Sequence, residues 1–390
     1  MGRTGGPAEG GAGPVGLTAV ARFINLIDRL AGLGRRHGPP GGVVVVSSGS
    51  LGDTVLFALV AARFQALAEN GEEVRVVLRH DAAAMAFLFP PEVTVDVIDH
   101  RRLRRHPAYR LSTLRRLGRA NARLVVSADY LRHPDLDEAL IRACRGAETV
   151  AMKARPWAKY DGALKRNRVL FDRLFDSGPP VLDKVVRWAA FADWLTRRPE
   201  PPPMVRLPTD RLAPAAVLDR PTVLIQPFSA VTLKQSPPAL YQRVIRALPG
   251  DWRVRITGAP GDMERNPSFA GLLDPPRVTF DASTFEALVP MLRAARLVIS
   301  VDTALLHLAV AVGAPTLGLA SAAFVGEIVP YASDITPSNA HILYHSMPCE
   351  GCLGACVLPA RDGMYPCVAE LDADGVIAKV EELVIKGAGG

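Results

Sequence analysis

Short runs of β-branched and aliphatic residues alternate with helix-length segments along this chain. They do so twice, on either side of a stretch crowded with proline. In the first series Val43–Ser47, Val74–Leu78, Val93–Ile98 and Leu124–Val126 are strand candidates, with helical segments over Thr54–Glu69 and Ala82–Phe89. In the second, strands over Val223–Gln226, Arg253–Thr257, Leu297–Val301 and Thr316–Leu319 alternate with helices over Ala239–Ala247, Glu286–Ala294 and Leu305–Val312. Such alternation predicts βα units and parallel sheets covered by helices on both faces. Between the two series stand Pro199, Pro201, Pro202, Pro203, Pro208, Pro214 and Pro221, a composition that suits an inter-domain linker. A chain of 390 residues is also long enough for two cores. The expected fold class is α/β, with two Rossmann-like domains facing across a cleft. A start over 1–40 precedes an N-terminal domain over 41–198, a linker over 199–220 and a C-terminal domain over 221–390.

Hydrophobic residues make up 49% of the chain and charged residues 22%, the balance of a folded protein. No uncharged apolar stretch reaches the roughly 18 residues of a spanning helix. The segment 17–34 is interrupted by Arg22, Asp28 and Arg29 and lacks a small-residue cleavage site, so it does not read as a signal peptide. Val20, Phe23, Ile24, Ile27 and Leu30 recur at helical spacing there, predicting an amphipathic helix after a disordered, glycine-rich start over 1–16. A cytoplasmic protein is expected. The net charge is +7, and one run is dense: Arg101, Arg102, Arg104, Arg105, Arg110, Arg115, Arg116 and Arg119. It reads either as a solvated helix face or as a surface for phosphates, such as those of an anionic inner-membrane face. No nucleic-acid-binding signature accompanies it, so no nucleic acid is expected as a partner.

Ligands of open parallel sheets sit beyond the carboxyl ends of the strands, and four motifs fall there. The first is Val43-Val-Val-Val-Ser-Ser-Gly-Ser-Leu-Gly-Asp-Thr-Val55, a buried strand running into a loop with Gly49 and Gly52. Such a loop lets a ligand approach the backbone and meet the N–H groups of the following helix. Asp53 there is either a helix cap or an acid that takes a proton from a hydroxyl. The second runs from Leu297 through Asp302, Thr303, Ala304 and His307 to Thr316. Asp302 or Thr303 opens a helix whose positive end favours a diphosphate, and His307 either points toward that anion or packs in the core. The third delivers Ser229, Thr232 and Lys234 after a strand, and the lysine is either a surface residue or a cation that neutralises charge on a leaving diphosphate. The fourth is a strand followed by Gly258, Gly261, Asp262 and Glu264, whose acids are either solvated or accept sugar hydroxyls.

Of five cysteines, four cluster as Cys349-x2-Cys352-x3-Cys356-x10-Cys367. In a cytoplasmic protein that spacing favours a structural metal over disulfides, and four thiolates fit tetrahedral zinc or a single iron. Cys144 stands alone and reads as a small core residue.

Taken together, the four motifs resemble glycosyltransferase family 9, the ADP-heptose heptosyltransferases of bacterial surface polysaccharide assembly. The matching residues are Gly52-Asp53, Lys234, the Gly258–Asp262 loop, Asp302-Thr303 and His307, and the resemblance covers about residues 42–385. Phe228 replaces the usual glycine, Ser236 an aromatic residue, Ala304 the glycine after Asp-Thr, and Leu56 a frequent histidine. The resemblance implies a GT-B type fold and inverting transfer of a heptose or related sugar from a nucleotide diphosphate sugar, ADP-heptose above all. The acceptor implied is a lipopolysaccharide-type glycan or glycolipid held by the N-terminal domain. Asp53 would be the general base, beside the acceptor loop of Gly49 and Gly52. Lys234 would stabilise the leaving diphosphate. Ser229, Thr232, Gly258, Asp262, Glu264, Asp302, Thr303, Ala304 and His307 would bind the donor, with no cofactor needed for catalysis. Family members that modify autotransporters hold iron through a similar cysteine stretch, so a protein acceptor is an alternative. A nucleotide-sugar epimerase and a non-catalytic, metal-stapled binding protein are the others.

Overall fold

The computed structural model describes residues 24, 26–31, 39–69 and 71–388. The glycine-rich start over 1–16 lies outside these residues; of the helix expected over 17–34, residues 24 and 26–31 are described, and all are helical. The architecture is α/β, with two six-stranded sheets. The first contains β1 (Val43–Ser47), β2 (Val74–Arg79), β3 (Val93–Ile98), β4 (Leu124–Ser127), β5 (Glu148–Met152) and β6 (Arg173–Phe175) in the order β3-β2-β1-β4-β5-β6. The second contains β7 (Thr222–Gln226), β8 (Arg253–Thr257), β9 (Val278–Asp281), β10 (Leu297–Val301), β11 (Thr316–Leu319) and β12 (Ala340–Leu343), ordered β12-β11-β10-β7-β8-β9. Counted within each half, the two orders are the same, and the strand order reverses beside β1 and β4 and beside β7 and β10. The pairs β1–β2, β1–β4 and β4–β5 are parallel, as are all neighbours in the second sheet. Every residue of β1 and of β10 is buried, which is why both strands are continuous apolar runs and not alternating ones.

The helix expected over Thr54–Glu69 is two helices, α1 (Leu51–Ala58) and α2 (Ala61–Gln65), separated by a turn at Leu59 and Val60. The segment expected as a helix over Ala82–Phe89 is a 3-10 helix over His80–Leu88. Two further helices matter below: α3 (Pro107–Gly118) and α4 (Lys184–Thr196).

The chain forms two compact units, and it crosses between them more than once. Among the described residues, the first contains those within 1–48, 68–80 and 94–174; the second contains those within 49–67, 81–93 and 175–390. The division therefore does not fall at the proline-rich stretch. Its cause is an aromatic cluster in the second unit. Phe57 of α1 packs edge-on against Trp188 of α4 with ring centroids 5.3 Å apart, and Phe64 of α2 meets Phe191 at 6.1 Å. Phe89 joins Phe57 at 6.2 Å. Large rings contribute more buried apolar area than any other side chains, so α1 and α2 follow α4. The proline-rich segment itself lies along this unit: Val205 and Leu207 are buried, and their N–H groups donate to the carbonyls of Ile335 and Ala311. The main core of the second unit joins Val223, Ile225, Val254, Ile299, Leu317 and Val380. That of the first joins Val44, Val46, Ile98, Leu114, Leu140 and Phe171, and Cys144 is buried in it as expected of a small apolar residue.

The arginine run is not one uniform surface. Arg101, Arg102, Arg104, Arg105, Arg115 and Arg119 are exposed, and Arg116, also exposed, is paired with Asp96. Arg110 is a correction to the surface reading: it is 2% exposed. Its Nε and Nη2 donate to Asp28 at 2.6 and 2.7 Å, and Nη2 also donates to the Asp135 carbonyl at 3.0 Å. The period of α3 turns this one arginine inward with Thr113, Leu114 and Leu117. A buried guanidinium is tolerable only when its donors are matched, and the Asp28 carboxylate matches two of them. Removing the arginine would strand that carboxylate. Arg110→Ala is expected to cost about 3–5 kcal/mol in chemical denaturation; a loss below about 1 kcal/mol would show that the pair holds nothing together.

Candidate functional site

The site is built at the first turns of two helices of the second unit. Beyond β1 the chain passes Gly49 and Ser50 and enters α1, with Asp53 in its first turn. Asp53 serves partly as a helix cap: its Oδ2 accepts from the Ser50 N–H at 2.8 Å and from the Ser50 hydroxyl at 2.9 Å. Its Oδ1 faces away from the cap and accepts from the Lys184 ammonium at 2.6 Å. Burial pushes the Asp53 carboxyl up, but the Lys184 charge and the donors of Ser50 prevail and hold it at about 2.

Beyond β10 the chain turns at Asp302 and Thr303 and enters α5 (Ala304–Ala311), whose eight residues are all buried. Gly52 is what allows α1 to meet it. A β-carbon at position 52 would lie 2.9 Å from His307 Cδ2, closer than such atoms pack, and 3.8 Å from the Ala304 Cα. Gly49 is required for a similar reason, since a β-carbon there would fall 2.5 Å from that of Asp53. The Gly-x-x-Gly-Asp spacing is thus a steric condition for bringing Asp53 beside the start of α5.

His307 is one turn inside α5 and 3% exposed. Its Nδ1 is 2.8 Å from the Tyr331 hydroxyl, and its Nε2 is 3.9 Å from Asp302 Oδ1. Burial outweighs the neighbouring carboxylates and lowers its pKa to about 4, so the imidazole is neutral. Burial likewise keeps Tyr331 protonated, well above the usual phenol range. When the phenol donates to Nδ1, the ring carries its own proton at Nε2, on the Asp302 side.

Lys234 lies in a 3-10 turn, Thr232–Lys234, after β7. Its ammonium is 2.8 Å from Asp302 Oδ2 and 4.1 Å from the centre of the Phe324 ring. The site therefore contains two carboxylate–ammonium pairs, Asp53–Lys184 and Asp302–Lys234, with a neutral imidazole beside them. Thr303 is the N-cap of α5 without a side-chain capping bond, which leaves first-turn N–H groups for an anion.

The remaining expected residues spread along the same strand-end edge of the second sheet. Ser229 follows β7, and its hydroxyl accepts from the Val231 N–H at 3.2 Å; Thr232 is exposed. Gly258 follows β8. Asp262 is occupied locally, accepting from the Ala259 N–H at 2.6 Å and from Arg265 at 2.7 Å, and Glu264 is exposed. Sequence reasoning missed Lys184, Tyr331 and Glu327, whose carboxylate is 3.9 Å from the Lys184 ammonium. One signal for Lys184 was available: Asp183 caps α4, which puts a lysine at the first helical position, where the helix dipole disfavours a cation.

Cys349, Cys352, Cys356 and Cys367 are free thiols that line one small pocket with Ala322, Ala323, Met347, Tyr365 and Pro366. Its volume is about 10 Å³, room for a single atom or ion. Among the described residues, no group of three or more His, Cys, Asp or Glu side chains is arranged to hold a metal ion. The thiols share a pocket without forming a coordination shell. The pocket adjoins the Lys234 side of the site: the Tyr365 N–H donates to the Leu233 carbonyl at 2.9 Å, and Ala323 precedes Phe324. Among the described residues, no helix is long and apolar enough to cross a membrane.

In fold, the chain is similar to E. coli ADP-heptose LPS heptosyltransferase II, with TM-score 0.63 and 12% identity over 89% of this chain and 99% of that one. It is similar to E. coli heptosyltransferase WaaC solved with ADP, with TM-score 0.63 and 20% identity over 87% and 99%. A family 9 glycosyltransferase of Veillonella parvula gives TM-score 0.62 and 14% identity over 89% and 98%. No curated protein sequence matches. The model of glycosyltransferase family 9 (heptosyltransferase) matches residues 150–351, just over half of the chain and the span that contains Lys184, Lys234, Asp302 and His307. The chain belongs to glycosyltransferase family 9, the heptosyltransferase family.

Proposed function

We propose that this glycosyltransferase moves a heptose or related sugar from a nucleotide diphosphate sugar, ADP-heptose above all, to a hydroxyl of a lipopolysaccharide-type surface glycan, with inversion. The observation that carries this reading is the close approach of α1 to α5, which sets the Asp53 carboxylate beside an anion-receptive helix start. Asp53 takes the acceptor's hydroxyl proton, and the oxygen attacks the anomeric carbon through an oxocarbenium-like transition state. The bond from that carbon to the β-phosphate oxygen breaks, and the nucleoside diphosphate leaves with the electron pair. Lys234 and the first-turn N–H groups of α5 stabilise the charge that develops there. His307, being neutral, contributes a hydrogen bond and no charge. The likeness to a heptosyltransferase solved with ADP supports an adenine nucleotide. Ser229, Thr232, Gly258, Asp262, Glu264 and Ala304 complete the donor side, and a lipid-linked acceptor suits work at the cytoplasmic membrane face. Asp53→Asn is expected to lower transfer from ADP-heptose by about 10²–10⁴-fold while leaving ADP binding by calorimetry intact. Transfer that survives the substitution, or a purified protein that neither transfers nor binds any nucleotide sugar, would overturn this assignment.

We also propose that the four cysteines hold a structural zinc or iron. The donor set suits such an ion chemically, because four soft ligands line one atom-sized pocket. A bound ion would clamp together the segments that carry Leu233 and Phe324, and so steady Lys234. Elemental analysis is expected to find about one metal per chain, lost in Cys352→Ser/Cys367→Ser with a lower melting temperature. Metal-free protein whose melting is unchanged by chelator would reject the site.

The exposed arginines of 101–119 are proposed as a peripheral contact with anionic membrane. Vesicles containing anionic lipid are expected to bind the protein at low salt and release it at about 0.5 M salt; no binding at low salt would refute this.

A further inference from the structure

We propose that Lys184 is a positioning residue that masks the base: it pairs with Asp53 Oδ1 and passes to the donor's diphosphate when that binds. This rests on the transferase reading above. The two oxygens of Asp53 have separate duties. Oδ2 is committed to the helix cap through Ser50, so Oδ1 is the oxygen available to receive a proton, and Oδ1 is where the ammonium sits. An ammonium has donors and no lone pair, so it cannot relay a proton away from the acceptor. Masked in this way, Asp53 is a poor base at neutral pH, because a general base works best with a pKa near the working pH.

The surroundings of Lys184 fix its backbone. Asp183 accepts from the N–H groups of Val185 and Val186 and from that of Ala332, and the Lys184 N–H donates to the Glu327 carbonyl at 3.0 Å. The start of α4 is therefore pinned, whereas four methylenes separate the pinned backbone from the charge. The groups facing Asp53 are Lys184 of α4, Ser50 of its own helix and His307 of α5, with Glu327 behind the lysine. Lys184 is close enough to His307 to depress its pKa, so its charge is felt at the first turn of α5. Lys234 is already held by Asp302 and Phe324. A diphosphate at that turn competes with carboxylates for both ammoniums. Lysine suits such an exchange, since its charge is compact and its stem flexible, whereas a guanidinium fork holds a carboxylate at two points.

The test is the titration of Asp53 itself, followed by carbon NMR of protein labelled at the aspartate carboxyl carbon and assigned with Asp53→Asn. Without ligand, Asp53 is expected to stay ionised down to about pH 2–3. With saturating ADP, its midpoint is expected to rise by about one pH unit or more, a tenfold gain in proton affinity. In Lys184→Gln the ligand-free midpoint should already be raised, because burial then acts unopposed by the ammonium, and ADP should add little. The wild-type measurement needs no variant to fold. ADP that binds by calorimetry but leaves the Asp53 midpoint unmoved overturns the exchange while the donor assignment stands, and so does an unaltered midpoint in Lys184→Gln. Failure of ADP to bind at all removes the nucleotide donor reading and, with it, this one.

Discussion

The close approach of α1 to α5 is the contact on which the site depends. Helix α5 is buried along its whole length, and Gly52 meets it at His307, where a β-carbon would lie 2.9 Å away. A glycine inside a helix costs roughly 0.5–1 kcal/mol relative to alanine. What it makes possible is the placement of Asp53, one residue on, in the same small volume as His307 and the start of α5. His307 can be buried there because its polar atoms have partners: Tyr331 meets Nδ1, and Nε2 faces Asp302.

Charge in this volume is arranged as neutralised pairs. An ionised group buried alone loses more hydration than a protein can return, so Asp53 and Asp302 each sit against a lysine. The pairing holds the Asp53 carboxyl ionised and engages both lysines. The Asp302–Lys234 pair has an additional constraint, because Phe324 covers the ammonium, and the Phe324 segment borders the cysteine pocket. The Lys184 side chain is 23% exposed and that of Lys234 is 14% exposed.

Both sheets and most strands were legible in the sequence, because fully buried parallel strands are uninterrupted apolar runs and the intervening loops carry the glycines. The Asp302–His307 motif was legible for the same reason, as an apolar strand and an apolar helix with polar residues confined to the turn. Other features depend on contacts between distant segments. The turn at Leu59 and Val60 has no proline or glycine to announce it, so one helix was read where two exist. Arg110 looks like its seven neighbours in the run, and its partner Asp28 is 82 residues away. Lys184 is one lysine at the start of a helix, and its meaning comes from Asp53, 131 residues away. The grouping of α1 and α2 with α4 follows from aromatic packing that no local pattern encodes.

One departure from the family pattern is coupled by packing to a residue that matches it. Phe228 stands where a glycine is usual, and its ring is buried against Phe269 and Phe280, with centroids at 5.3 and 6.5 Å. A β-carbon at position 258 would come 2.9 Å from that ring and 3.0 Å from Asp262 Oδ2. The phenylalanine therefore fixes the loop after β7 from below and makes the glycine after β8 obligatory. A loop anchored this way is stiffer than one hinged on glycine, since glycine at position 228 would leave the backbone more conformations to lose. Ser229 follows immediately, and Lys234 emerges from the turn beyond it. Where the family pattern places a glycine, this chain places an aromatic core residue.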